Sequence, residues 1–182
     1  MLSRRPVLLL ALAFGFCLTL PASFVHAADP MSVEGDPGGP VSGSTPKVVT
    51  LQLSADLAKS LRKIPDKAGE GPSVRLAIQG VKAPAGTSIH VFLNSANANG
   101  TTAVNDDHYV GNITSFEEPA ADSPGDDALL DAAPALKRLK KSDRVLVGDT
   151  LTVTLAVADG SAPADASIAV GKVVLSVTPA GK

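Results

Sequence analysis

The chain has 182 residues, 45% of them hydrophobic and 19% charged, with a net charge of −2. It carries one cysteine, three histidines, one tyrosine, five phenylalanines and no tryptophan. With no basic excess to neutralise phosphates, neither nucleic acid nor an anionic membrane surface is expected as a partner, and the imidazoles are too few for the two sets of three that a coupled dicopper centre needs.

Residues 1–27, MLSRRPVLLLALAFGFCLTLPASFVHA, open with two arginines, continue in an apolar run and end in Val25-His26-Ala27. That is the pattern of a cleavable export signal. The run from Val7 to Leu20 is shorter than the roughly 20 residues a bilayer-spanning helix requires. Cleavage after Ala27 is expected to release a periplasmic or secreted product with no membrane attachment. Ser3, Arg4, Arg5 and Leu8 also resemble a twin-arginine signal, whereas Val7 and the greasy run favour the ordinary secretory route, so both routes stay open. Phe16 before Cys17 argues against a lipid-attachment site. Loss of the segment removes Cys17, His26, Phe14, Phe16 and Phe24, and with Arg4 and Arg5 the net charge moves from −2 to −4. The product then has no thiol for a disulfide or a nucleophile. Its two histidines cannot fill a three-histidine zinc site.

Residues 28–46, ADPMSVEGDPGGPVSGSTP, are rich in Gly, Pro and Ser without hydrophobic period, and read as a flexible linker. A single domain is expected over 47–182. Its dominant signal is alternation with a period of two. KVVTLQL aligns Val49, Leu51 and Leu53 on one face, and SVRLAIQG aligns Val74, Leu76 and Ile78. TSIHVFLN sets Ile89, Val91 and Leu93 against His90, Phe92 and Asn94. YVGNITSF, RVLV, TLTVTLAVA and SIAVGKVVLSVT complete a set of about seven β-rich runs, which predicts an all-β antiparallel sandwich, jelly-roll-like. Asn99-Gly100 is a tight-turn signal.

Two short helices interrupt the pattern. SADLAKSLRKI has Ser54 as a cap and Leu57, Leu61 and Ile64 at helical spacing. ALLDAAPALKRLKK sets Leu129, Leu136 and Leu139 on one side, with Pro134 expected in the first turn of the true helix. Between strands and second helix, EEPAADSPGDD (117–127) reads as a long exposed acidic loop.

The chemistry-bearing candidates are few. Asp106, Asp107, His108 and His90 offer oxygen and nitrogen donors for a divalent cation, but the same residues suit a turn in which Asp carboxylates accept local N–H groups. No cofactor is expected. His90 has no evident partner for general-base work. Paired carboxylates for glycoside chemistry would lie in breaker-rich loops without aromatic sugar platforms. Asn99 and Asn112 head sequons expected to be bare. Lys137, Arg138, Lys140 and Lys141 form a basic helix face that either solubilises or docks an acidic partner.

The run VRLAIQGVKAPAGTSIHVFLNSANANGTTAVNDDHYVGNITSFE resembles the C-terminal domain that follows the dicopper domain in polyphenol oxidases and tyrosinase-like proteins. The likeness is carried by Val74-Arg75-Leu76, by Val91-Phe92-Leu93-Asn94, and by His108-Tyr109-Val110-Gly111 with Ser115-Phe116. GDTLTVTL and SIAVGKVVLSV extend it over most of residues 47–178. The resemblance implies a non-catalytic β-sandwich that covers the entrance to a copper site, here without the copper-binding domain. It therefore implies a shield or assembly partner of a separate type 3 copper oxidase, with Tyr109 and the basic helix as contact candidates. A free-standing periplasmic binding or structural module is the alternative. Tyr109 and Phe116 are expected to help fill the core.

Overall fold

The period-two runs become strands in the computed structural model, which describes residues 29–65, 71–120, 122–142 and 144–180. The export signal read over 1–27 lies outside the described residues. In chain order the strands are β1 (Met31–Gly35), β2 (Val41–Ser42), β3 (Lys47–Gln52), β4 (Ser73–Val81), β5 (Ser88–Leu93), β6 (Tyr109–Thr114), β7 (Asp126–Asp131), β8 (Thr150–Val157), β9 (Ser167–Ile168) and β10 (Lys172–Thr178). Helix α1 (Ala55–Arg62) links β3 to β4, and α2 (Ala133–Lys141) links β7 to β8.

Two four-stranded antiparallel sheets, β1-β10-β4-β7 and β3-β8-β5-β6, make the sandwich, with a short β2-β9 pair beside them. Counting the strands of the two large sheets in chain order, these read first-eighth-third-sixth and second-seventh-fourth-fifth, which is jelly-roll order. The alternation sets which side chains face inward. Val74, Leu76 and Ile78 of β4 and Val173, Leu175 and Val177 of β10 are buried against Val49 and Leu51 of β3, Ile89, Val91 and Leu93 of β5, and Leu151, Val153 and Leu155 of β8. On the side where β1 meets β3, Gly35 makes the approach possible. A Cβ there would stand 2.6 Å from Val49 Cγ1 and 2.7 Å from Leu51 Cδ2.

Four expectations are corrected. Residues 28–46 are not simply a linker: β1 pairs with β10 from Met31↔Val177 to Gly35↔Val173, and β2 pairs with β9. Met31 and Val33 alternate with exposed Ser32 and Glu34, a period too short to stand out beside Gly and Pro. Leu129 belongs to β7 and not to the second helix. It is 64% exposed, while Leu130 beside it faces the core. RVLV forms no strand; it contributes buried Val145 and one bridge, Val147↔Thr150. The last run, read as one strand, divides at Ala169–Gly171. Ile168 pairs there with Val41, while Lys172 begins pairing with Gln79.

The helices seal one end of the sandwich. Ser54 caps α1 by accepting from Leu57 N at 3.3 Å, and Leu57, Ala58 and Leu61 are buried. In α2 Pro134 sits in the first turn, Asp131 Oδ1 accepts from Ala133 N, and Ala135, Leu136 and Leu139 are buried. Lys140 Nζ donates to Ile64 O at 2.8 Å and so ties α2 to the residues just past α1.

Candidate functional site

The segment between β5 and β6 folds back over the outer face of the β3-β8-β5-β6 sheet. Phe92 points to that face, not to the main core, and with Ala98 and Ala156 it forms a second buried cluster against which Tyr109 packs. The rings of Phe92 and Tyr109 meet edge-on with centroids 5.5 Å apart. His90, two residues earlier on the same face, stands edge-on to both, at 6.2 Å from Phe92 and 5.7 Å from Tyr109. Thr154 is buried beneath the same segment and donates its hydroxyl to Ser95 O at 2.8 Å.

The ends of the segment are clasped. Leu93 N donates to His108 O at 2.8 Å, and His108 Nδ1 lies 2.6 Å from Leu93 O. A carbonyl only accepts, so Nδ1 carries the proton and the neutral ring's remaining acceptor is Nε2. Asn94 follows with φ 51°, a left-handed conformation that Asn tolerates better than most residues. Its Nδ2 donates to Arg144 O and Val145 O at 2.9 and 2.7 Å, and its Oδ1 accepts from Thr152 N at 2.9 Å. Arg138 of α2 donates from Nε to Asp107 O at 3.2 Å and from its guanidinium to Tyr109 O. Two blocks that carry the sequence resemblance, Val91–Asn94 and His108–Gly111, are thus neighbours that hold one another.

Each candidate can now be placed. Asp106 Oδ1 accepts from His108 N at 2.8 Å, and Asp106 O from Tyr109 N at 3.1 Å, so this carboxylate shapes a turn. Among the described residues no three His, Cys, Asp or Glu side chains converge as metal ligands, so Asp106, Asp107, His108 and His90 are not drawn into one donor set. His90 Nδ1 is buried with no hydrogen-bond partner among the described residues. Burial holds its pKa below the ordinary imidazole value and raises that of the Tyr109 phenol. Of the basic face, Arg138 and Lys140 reach backbone carbonyls of the fold, whereas Lys141 is exposed. Phe116 was expected in the core and is instead 86% exposed. It follows Ser115, whose hydroxyl donates to Ala83 O and turns the chain out of β6.

The geometry defines an antiparallel jelly-roll sandwich whose motif residues bind its own backbone. No family model and no curated protein sequence matches the chain. Among solved structures, recombinantly expressed latent aurone synthase (polyphenol oxidase), co-crystallized with hexatungstotellurate(VI), is similar with a TM-score of 0.50. The identity is 18%, over 79% of this chain and 26% of that one. Latent apple tyrosinase is similar with a TM-score of 0.45 and 12% identity, over 76% of this chain and 27% of that one. The chain therefore spans about a quarter of the length of these oxidases. The resemblance to polyphenol oxidases is one of fold and falls in their C-terminal region.

Proposed function

We propose that this chain is a non-catalytic, exported sandwich that acts in trans as a shield or assembly partner of a separate type 3 copper oxidase. The observation that supports the reading most is the coincidence of two things. The blocks His108–Gly111 and Val91–Asn94 resemble the polyphenol oxidase C-terminal domain in sequence, and they meet in one clasp on a fold shared with a latent polyphenol oxidase. Tyr109 and Arg138 of α2 lie together beside that clasp, which makes this end the contact surface in the reading; Lys141, one turn on from Arg138, is an exposed cation.

The test is recovery of partners on the tagged, processed protein from its own host's envelope, followed by an activity assay. A histidine-rich copper oxidase should be recovered, and added chain should lower its diphenol turnover. Lys141→Glu should weaken both effects. A preparation that brings down no such oxidase, and that leaves a purified one at full rate, removes the reading and leaves a free-standing binding or structural module.

A further inference from the structure

The two edge strands on the side away from β1 and β3 do not close on each other along their whole length. β7 pairs with β4 and β6 with β5, and each is last in its sheet. Near the helix end they touch, with a Cβ on Gly111 falling 3.3 Å from Leu130 Cδ2. Toward the opposite end they splay and leave a groove of about 450 Å³. Its floor is core (Val81, Ala83, Ile89 and Ile113), and its walls include Phe116, 86% exposed, and Leu129, 64% exposed. Thr87 also lines it: this residue is 1% exposed, and its hydroxyl has no hydrogen-bond partner among the described residues.

The charge around this groove has one sign. Asp126 and Asp127 line it, and Glu117, Glu118 and Asp126 line the hollow that continues from it; among the described residues no Lys or Arg lines either. Two of these carboxylates are fixed by the fold, Asp127 accepting from Gly80 N at 3.0 Å and Glu118 from Ala85 N at 3.2 Å. We propose that the groove receives an extended, positively charged segment of a partner protein, added as a strand at the open edge with an apolar side chain set between Phe116 and Leu129. A sheet edge offers main-chain donors and acceptors in a row, and side chains on alternate positions of the guest fall into the groove. The acids select the guest's sign. They also disfavour a second copy of this chain, because β7 laid against another β7 would oppose its Asp126, Asp127 and Asp131 with like charges. The inference does not rest on the oxidase reading, since it uses only this chain's own edge, apolar walls and carboxylates.

The test is fluorescence anisotropy of the full processed protein with three labelled eight-residue peptides: alternating Lys and Val, alternating Glu and Val, and alternating Lys and Ser. The Lys/Val peptide should bind with a dissociation constant on the order of 10–100 μM and lose affinity as salt rises. The Glu/Val and Lys/Ser peptides should each bind at least about tenfold more weakly. Phe116→Ser with Leu129→Ser should cut Lys/Val binding about tenfold, as truncation of apolar anchors does. Asp126→Lys with Glu117→Lys, which breaks no side-chain hydrogen bond among the described residues, should do the same and flatten the salt dependence. All four positions are exposed, and an unchanged urea midpoint verifies folding. Absence of Lys/Val binding, equal binding of Lys/Ser, or binding that ignores both double variants would overturn the proposal. Because no oxidase enters the titration, its failure is distinct from failure of the shield-in-trans reading.

Discussion

Asn94 combines a left-handed backbone with four side-chain hydrogen bonds that join β5, β8 and the segment after α2. Asn94→Ala removes all four and leaves a Cβ in the same backbone conformation, so it should destabilise the fold by about 2–4 kcal/mol. Asn94→Gly loses the same bonds but relieves the backbone, and should cost about 1 kcal/mol less. Urea unfolding of the pair separates the two contributions; equal midpoints would mean that the φ carries no strain. His90 permits a pH prediction. Burial lowers its pKa, so the folded state binds fewer protons at this ring than the unfolded chain. The stability linked to it is complete above the ordinary imidazole value near 6.5 and is lost as pH falls through the lowered folded value. The Tm difference between wild type and His90→Gln should therefore shrink on going from about pH 8 to about pH 5; a difference that is flat or grows contradicts the cause assigned here. The sequence placed His90 and Phe92 on one strand face because alternation is local. It could not place Phe116, whose outward turn depends on Ser115 meeting Ala83 O, a contact across 32 positions.

The legible elements are those whose signal is local and repeated. β4, β5 and β8 carry three or more inward apolar residues each, and α1 carries its own cap and spacing. β1 is different. Its inward residues are Met31 and Val33, then Gly35, and it becomes a strand because β10 presents an edge and Val49 and Leu51 leave room for a glycine. Tertiary context decides it. Deletion of residues 28–36 should then do more than trim a tail. It removes five paired residues and an apolar strip over β10 and should lower stability by about 2–4 kcal/mol. It also bares the β10 edge, so light scattering on warming should rise earlier than for a chain that begins at residue 28. An unchanged midpoint would mean that the segment is the linker its composition suggests. The clasp was legible in the same limited way: the blocks around Asn94 and His108 were visible as a resemblance, but their hydrogen bonding to each other needs the turn of 94–108 over Phe92 to be known.

The whole molecule is a nest of antiparallel pairs, β5 with β6, β3 with β8, β4 with β7 and, outermost, β1 with β10. The innermost pair spans one loop, whereas Met31 and Val177 are partners across nearly the whole described chain. Non-local pairing of this kind carries a loop-closure entropy that must be met before contacts reward it, so refolding is expected in the millisecond-to-second range. Tyr109, the sole tyrosine in a chain without tryptophan, reports it by fluorescence from its place against Phe92 and His90. The same nesting sets the two ends of the described chain side by side. A circular permutant that joins residues 29 and 180 through a short Gly/Ser linker, and opens between Pro119 and Ala120, converts β1–β10 from the most distant pair into a hairpin. Both new ends are exposed, and the cut breaks no strand. The permutant should keep the urea midpoint within about 1 kcal/mol of stability. Its refolding rate decides the order of assembly. A rate several-fold faster than the parent's places β1–β10 closure at the barrier, as contact order predicts. A rate equal to the parent's would place the barrier at an inner pair, with β1 docking afterwards onto a sandwich already formed.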